Sequence, residues 1–136
     1  MAPKPSTVVE LAWMGRLEFS AHVARADFSI DSAGLTGPSP LEALGAALAG
    51  CMSVDIVDIL VKGRHPLRGL RSRLTAERSE NPPKRFIRAA LHLTIDGEIP
   101  KEAVDRAIGL SREKFCSVWH SMRQDIDFQV TFDLVP

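Results

Sequence analysis

The stretch Gly37-Pro-Ser39-Pro40-Leu-Glu42-Ala-Leu-Gly-Ala-Ala-Leu-Ala-Gly-Cys51-Met-Ser-Val-Asp55-Ile-Val-Asp58 is the most clearly marked element of the chain. Ser39 is a good helix N-cap, and Pro40 suits the first helical position, where no amide hydrogen is needed. Glu42, three residues after Ser39, completes a capping box. Gly63, backed by Pro66, is a natural stop. The spacing therefore predicts a helix over residues 40–62, roughly 35 Å long at 1.5 Å per residue. Nearly every residue from Leu41 to Met52 is apolar or small, so the helix is expected to be buried on most sides and to form the spine of the fold.

Working outward, the segments on either side alternate with a period of two. Val9, Leu11 and Trp13 oppose Val8, Glu10 and Ala12; after a turn at Gly15-Arg16 the pattern resumes through Leu17, Phe19, Ala21 and Val23, then Phe28 and Ile30. This predicts a three-stranded meander before the helix. Beyond it, residues 67–77 and 86–95 read as strands separated by the Asn81-Pro-Pro turn. Ile87, Ala89, Leu91, Leu93 and Ile95 share one face of the second. Pro100 opens a helix with a Val104, Ala107, Ile108 stripe, and a break near residues 109–112 sets off a short helix carrying Phe115–Met122, Cys116 among them. Ile126, Phe128, Val130, Phe132 and Leu134 form a last strand. This order is α+β and mostly antiparallel.

At 136 residues the chain is read as one domain over 1–136. Its 45% apolar and 25% charged composition is that of a soluble globular protein, and zero formal net charge gives no bulk case for nucleic acid or an anionic membrane. The basic residues clustered at 64–78 and 84–88 read as solvated strand faces. No run reaches the ~18 to 20 uninterrupted apolar residues of a bilayer span, and residues 1–7 lack the apolar core of a signal peptide. A cytoplasmic location is expected. A domain of this length has a radius of gyration of about 14 Å, so one set of strands can hardly cover a long helix that is apolar all round. Burial by a second copy is the simple solution, and a homodimer is expected.

Only two cysteines occur, Cys51 in the long helix and Cys116 in Arg112-Glu-Lys-Phe-Cys116-Ser-Val-Trp-His120. In a reducing compartment two such thiols point to catalysis, redox sensing or metal binding before a structural bridge. The helix motif ending Ala-Gly-Cys51, together with Glu-Lys-Phe-Cys116-Ser-Val, resembles the OsmC/Ohr family of osmotically inducible and organic-hydroperoxide-resistance proteins. Ser-Val-Asp-Ile-Val-Asp-Ile-Leu after Cys51 is most similar to the OsmC-like branch. The resemblance implies an intertwined α+β homodimer around a long central helix and a cysteine-based peroxidase acting on organic hydroperoxides. Cys51 would be the attacking thiol and Cys116 the resolving one. The chemistry needs no metal or organic cofactor, only an external dithiol or lipoyl-protein reductant.

Burial raises a thiol's pKa, so a cation is needed to favour the thiolate. The resemblance assigns this to an arginine oriented by a glutamate. Glu42 matches the glutamate, though the capping box alone explains it, and by helical geometry it points away from Cys51. Arg16 is the nearest match for the arginine, with Arg25 second. Asp55 and Asp58 are expected to line the helix's polar edge, Asp55 disfavouring a thiolate. Ala47, Leu48, Met52, Val54, Phe115 and Trp119 form either an apolar funnel for hydroperoxides or plain core. Two further readings stay open. One is a non-catalytic protein binding a small apolar ligand at the dimer interface; the other is a metal site of Cys51, Cys116 and His120. His22, His65 and His92 show no ligand spacing.

Overall fold

The computed structural model describes residues 4–136. Its elements run β1 (Val9–Gly15), β2 (Glu18–Val23), β3 (Ala26–Asp31), α1 (Pro40–Lys62), β4 (Gly69–Arg78), β5 (Phe86–Asp96), α2 (Lys101–Leu110), a π-helical turn (Ser111–Phe115), α3 (Ser117–His120) and β6 (Asp127–Val135). The α+β class is as expected, and α1 starts and stops at the predicted residues. The chain forms two compact units, Met1–Leu44 and Gly45–Pro136, with α1 beginning in the first and running through the second.

The first unit is the β1-β2-β3 antiparallel meander. Trp13 faces Phe19 across the first ladder, and Phe19 faces Ile30 across the second. After β3 the chain must turn into α1, and buried Asp31 organises that turn. Its carboxylate accepts from the amides of Ala33 (2.9 Å), Leu35 and Thr36 (3.1 Å each) and from the Thr36 hydroxyl. These donors, the Ala33 amide first, hold its pKa below the usual carboxylate value. Gly37 lies so close to β3 that a Cβ would stand 2.3 Å from the Ser29 carbonyl oxygen, which only glycine tolerates. The capping box then forms as read: Ser39 N–H donates to Glu42 Oε1 (2.9 Å), and Glu42 N–H to Ser39 Oγ (3.2 Å).

The second unit sets α1 against the sheet β4-β5-β6. β4 and β5 are antiparallel, with Leu74 opposite Leu91 and Leu70 opposite Ile95. β5 and β6 are parallel, Leu91 opposite Val130 and Leu93 opposite Phe132. A parallel pair needs a crossover, and α2, the π turn and α3 supply it. Leu91, Leu93, Ile95 and Phe128 of the sheet, Leu48, Met52, Ile56 and Leu60 of α1, and Val104 and Ala107 of α2 make one apolar core. Burying such side chains is worth roughly 1.5–3 kcal/mol each.

Within one chain Gly45, Leu48, Met52, Ile56 and Leu60 make one buried seam of α1, while Val54, Val57 and Val61 opposite are exposed. One sheet covers one helical face. By length and average hydropathy α1 is apolar enough to cross a bilayer, although, as expected, its apolar residues do not run uninterrupted. Asp55 and Asp58 interrupt its apolar run, yet the surrounding residues keep the average high. The break near residues 109–112 is absent, because α2 passes directly into the π turn and the helix ends at Cys116 instead.

Candidate functional site

Cys51 stands in the fourth turn of α1, half-buried. Asp55 follows at i+4, so the two side chains share one flank of the helix. The π turn brings the second thiol to that flank. It accommodates one more residue than an α turn, and its closing bond runs from Cys116 N–H to the Ser111 carbonyl at 2.7 Å. The chain then becomes extended at Cys116 (φ −73°, ψ 96°), which caps α3 with its own sulfur: Trp119 N–H donates to Sγ at 3.4 Å. The same turn directs Ser111 inward, where its fully buried hydroxyl donates to Asp55 Oδ2 at 2.7 Å.

The outcome is a small polar cluster at the edge of the apolar core. The sulfurs of Cys51 and Cys116 and a carboxylate oxygen of Asp55 all lie within 4.8 Å of one another. Both cysteines are free thiols, Cys51 half-buried and Cys116 without exposed surface. Burial pushes the Cys116 thiol from 9.0 up to about 11; the Trp119 N–H opposes the rise, and Cys51 and the Asp55 charge add to it. The charged neighbour acting on this thiol is thus an anion.

Each remaining sequence candidate has its own local setting. Glu42 is engaged in the capping box, where Ser39 holds its carboxyl below the usual range. Arg16 and Arg25 are exposed in the β1–β2 and β2–β3 turns of the first unit, Arg16 in the left-handed region at φ 52°. Its carbonyl accepts the Trp13 indole N–H at 2.9 Å. His120 is the last residue of α3, the short helix that Cys116 caps. Its ring nitrogen meets the Arg112 carbonyl at 3.0 Å, and the third polar group beside the thiols is Asp55.

The apolar surroundings divide. Leu48 and Met52 are core, and Trp119 packs on Phe128 at 4.8 Å between ring centroids. Val54 is exposed and lines a groove of ≈ 770 Å³ with Val57, Val61, Leu67 and Leu70. Phe115 is exposed beside a cleft of ≈ 340 Å³ bounded by Asp55, Asp58, Ile59 and Lys62. Sequence reasoning missed Ser111 and undervalued Asp55. Its i+4 spacing from Cys51 was the available signal, whereas a buried serine in a π turn leaves none.

Comparison with known proteins agrees with this architecture. A family model described as OsmC-like protein matches residues 31–131. Protein YhfA of Escherichia coli K12 is 36% identical over 105 residues, covering 76% of this chain and 78% of the relative. A crystal structure of a hypothetical protein from Aquifex aeolicus superimposes with a TM-score of 0.89 at 23% identity, covering 97% of this chain and 98% of that one. The organic hydroperoxide resistance protein OsmC of Legionella pneumophila shares the fold with a TM-score of 0.71 at 14% identity, covering 97% and 99% of the two chains. The motifs around the two cysteines, the element order and these matches agree, and the chain belongs to the OsmC-like protein family.

Proposed function

We propose that this protein is a thiol-dependent peroxidase that reduces organic hydroperoxides to alcohols. The observation that carries the reading is the pairing of a half-buried Cys51 with a fully buried Cys116, sulfurs within 4.8 Å, from segments far apart in sequence. The accessible sulfur attacks the terminal peroxide oxygen: Cys51–SH and ROOH give Cys51–SOH and ROH. Cys116 then condenses with the sulfenic acid, forming the disulfide and releasing water. An S–S bond is about 2.05 Å long, so the sulfurs close most of their separation in this step. An external dithiol returns both to thiols, and no metal or organic cofactor enters. In this reading the protein works in the cytoplasm. The membership of Legionella's organic hydroperoxide resistance protein in the same fold supports the substrate class.

The Asp55 charge opposes ionisation of Cys116, and the reading calls for a cation beside the thiols, with Arg16 and then Arg25 as the candidates; Glu42 would orient it. The exposed Val54, Val57 and Val61 of α1, and Val9, Leu11 and Trp13 of β1, favour a homodimer in solution. Cumene hydroperoxide with a dithiol reductant tests the activity. Cys51→Ser should abolish turnover; Cys116→Ser should permit one oxidation and leave a trappable sulfenic acid. Both thiols intact by mass spectrometry after excess peroxide refute the reading. Sedimentation as a monomer refutes the dimer.

The groove along Val54, Val57, Val61 and Leu70 favours a second reading, binding of a small apolar ligand without catalysis. Saturable binding of a fluorescent fatty acid, unaffected by Cys51→Ser and lost in Val57→Asp, in a protein inert to hydroperoxides would select it.

A further inference from the structure

We infer that Cys51, Asp55 and Cys116 of the reduced protein bind one thiophilic divalent cation of the zinc class. The three donor atoms come from two elements, and two of them sit at i and i+4 of one helix, the spacing that aims neighbouring side chains at a common point. They lie within 4.8 Å of one another. Around a tetrahedral Zn²⁺ with Zn–S near 2.3 Å, adjacent sulfurs stand about 3.8 Å apart, so the two sulfurs need draw in by no more than about 1 Å. Two thiolates and a carboxylate are a donor set that Zn²⁺ accepts, with a fourth position left for water.

The surroundings have the form of a supported ligand set. Ligating carboxylates are usually fixed by a hydrogen bond from outside the site, and buried Ser111 donates one to Asp55 at 2.7 Å. Trp119 N–H donates to the Cys116 sulfur, as backbone amides do to metal-bound thiolates. Asp55 has no cationic partner among the described residues, whereas Asp58 on the next stretch of α1 is paired with Lys62 at 2.9 Å. A dication would satisfy the anion that opposes thiolate formation. Binding balances as M²⁺ and two thiols giving the dithiolate complex and two protons.

The regulatory consequence rests on the peroxidase reading. The bound pair is a protected, resting form, and oxidation expels the metal: the M²⁺-dithiolate, ROOH and two protons give the disulfide, ROH, water and free M²⁺. Binding itself stands apart from that reading and is tested without peroxide.

The experiment titrates Cd²⁺ alone into the reduced, metal-free full chain and reads the ultraviolet thiolate-to-cadmium charge-transfer band. One Cd²⁺ per chain is expected, with the band lost in Cys116→Ser. Ser111→Ala should weaken affinity by about 10- to 100-fold, the range for a group that orients a ligand. Asp55→Asn should weaken it at least as much. No band in the folded wild type, or affinity unchanged in Asp55→Asn, overturns the site. Should either variant fail to fold, protection of both wild-type cysteines from iodoacetamide by equimolar Cd²⁺ reads the same question, and unprotected thiols overturn it. A protein that gives the band but is inert to hydroperoxides fails only the peroxidase reading; an active peroxidase without the band fails only this one.

Discussion

Raising the pH of the reduced, metal-free protein from 8 to 11 probes the burial of Cys116 directly. Burial moves this thiol from 9.0 up to about 11, with Cys51 and Asp55 the ionisable groups that face it and reinforce the shift. The folded state therefore holds the proton more tightly than the unfolded chain. The stabilisation is complete below pH 9, declines as the unfolded thiol ionises, and is fully lost above about pH 11, the folded value. Two pKa units correspond to about 3 kcal/mol, a large part of a typical domain's stability. In urea this amounts to a midpoint lowered by about 1 to 2 M for a small protein. The chain has no tyrosine, so no phenol complicates this window. Cys116→Ala keeps every other ionisable group and serves as the reference, its own cavity cost being independent of pH. Urea unfolding of both proteins at pH 8, 9.5 and 11 should show the wild type losing its advantage. Parallel decline of the two would refute the account of the buried thiol.

Ser111→Ala leaves the half-buried Asp55 carboxylate without its hydroxyl donor and should cost about 1–3 kcal/mol in urea unfolding. Ser39→Ala removes the α1 cap and should cost about 1 kcal/mol, whereas Glu42→Gln preserves the capping geometry without the charge. Unchanged peroxide turnover in Glu42→Gln would reduce Glu42 to a cap; a fall at unchanged stability would assign its charge a part in catalysis. Leu91→Ala opens a cavity at the centre of β5 and should destabilise by about 2–5 kcal/mol, seen as a lowered Tm. Gly37→Ala drives a methyl into the Ser29 carbonyl and should cost at least about 1–3 kcal/mol by the same measurement.

Much of this fold is legible because its signals are local. Ser39, Pro40 and Glu42 announce the start of α1 through hydrogen bonds within one turn, and Ala89, Leu91, Leu93 and Ile95 mark the buried face of β5 by alternation. The meeting of Cys51 and Cys116 came from family resemblance, since no spacing rule connects them. What stayed hidden depends on distant partners. The parallel pairing of β6 with β5 is a choice between registers of equal local pattern. The π turn adds one residue to a helix without changing its composition, so Ser111 and the extended Cys116 could not be placed. α1 reads as apolar all round, and apolarity does not reveal how much of it one chain can cover.

The parallel β6 has a consequence for biosynthesis. Translation must pass the whole α2–α3 crossover before β5 gains its second neighbour, and only then does Phe128 arrive to seat Trp119. Because Trp119 supplies the amide that holds the Cys116 sulfur, the two thiols stay strangers on the nascent chain while Cys51 is already outside the ribosome.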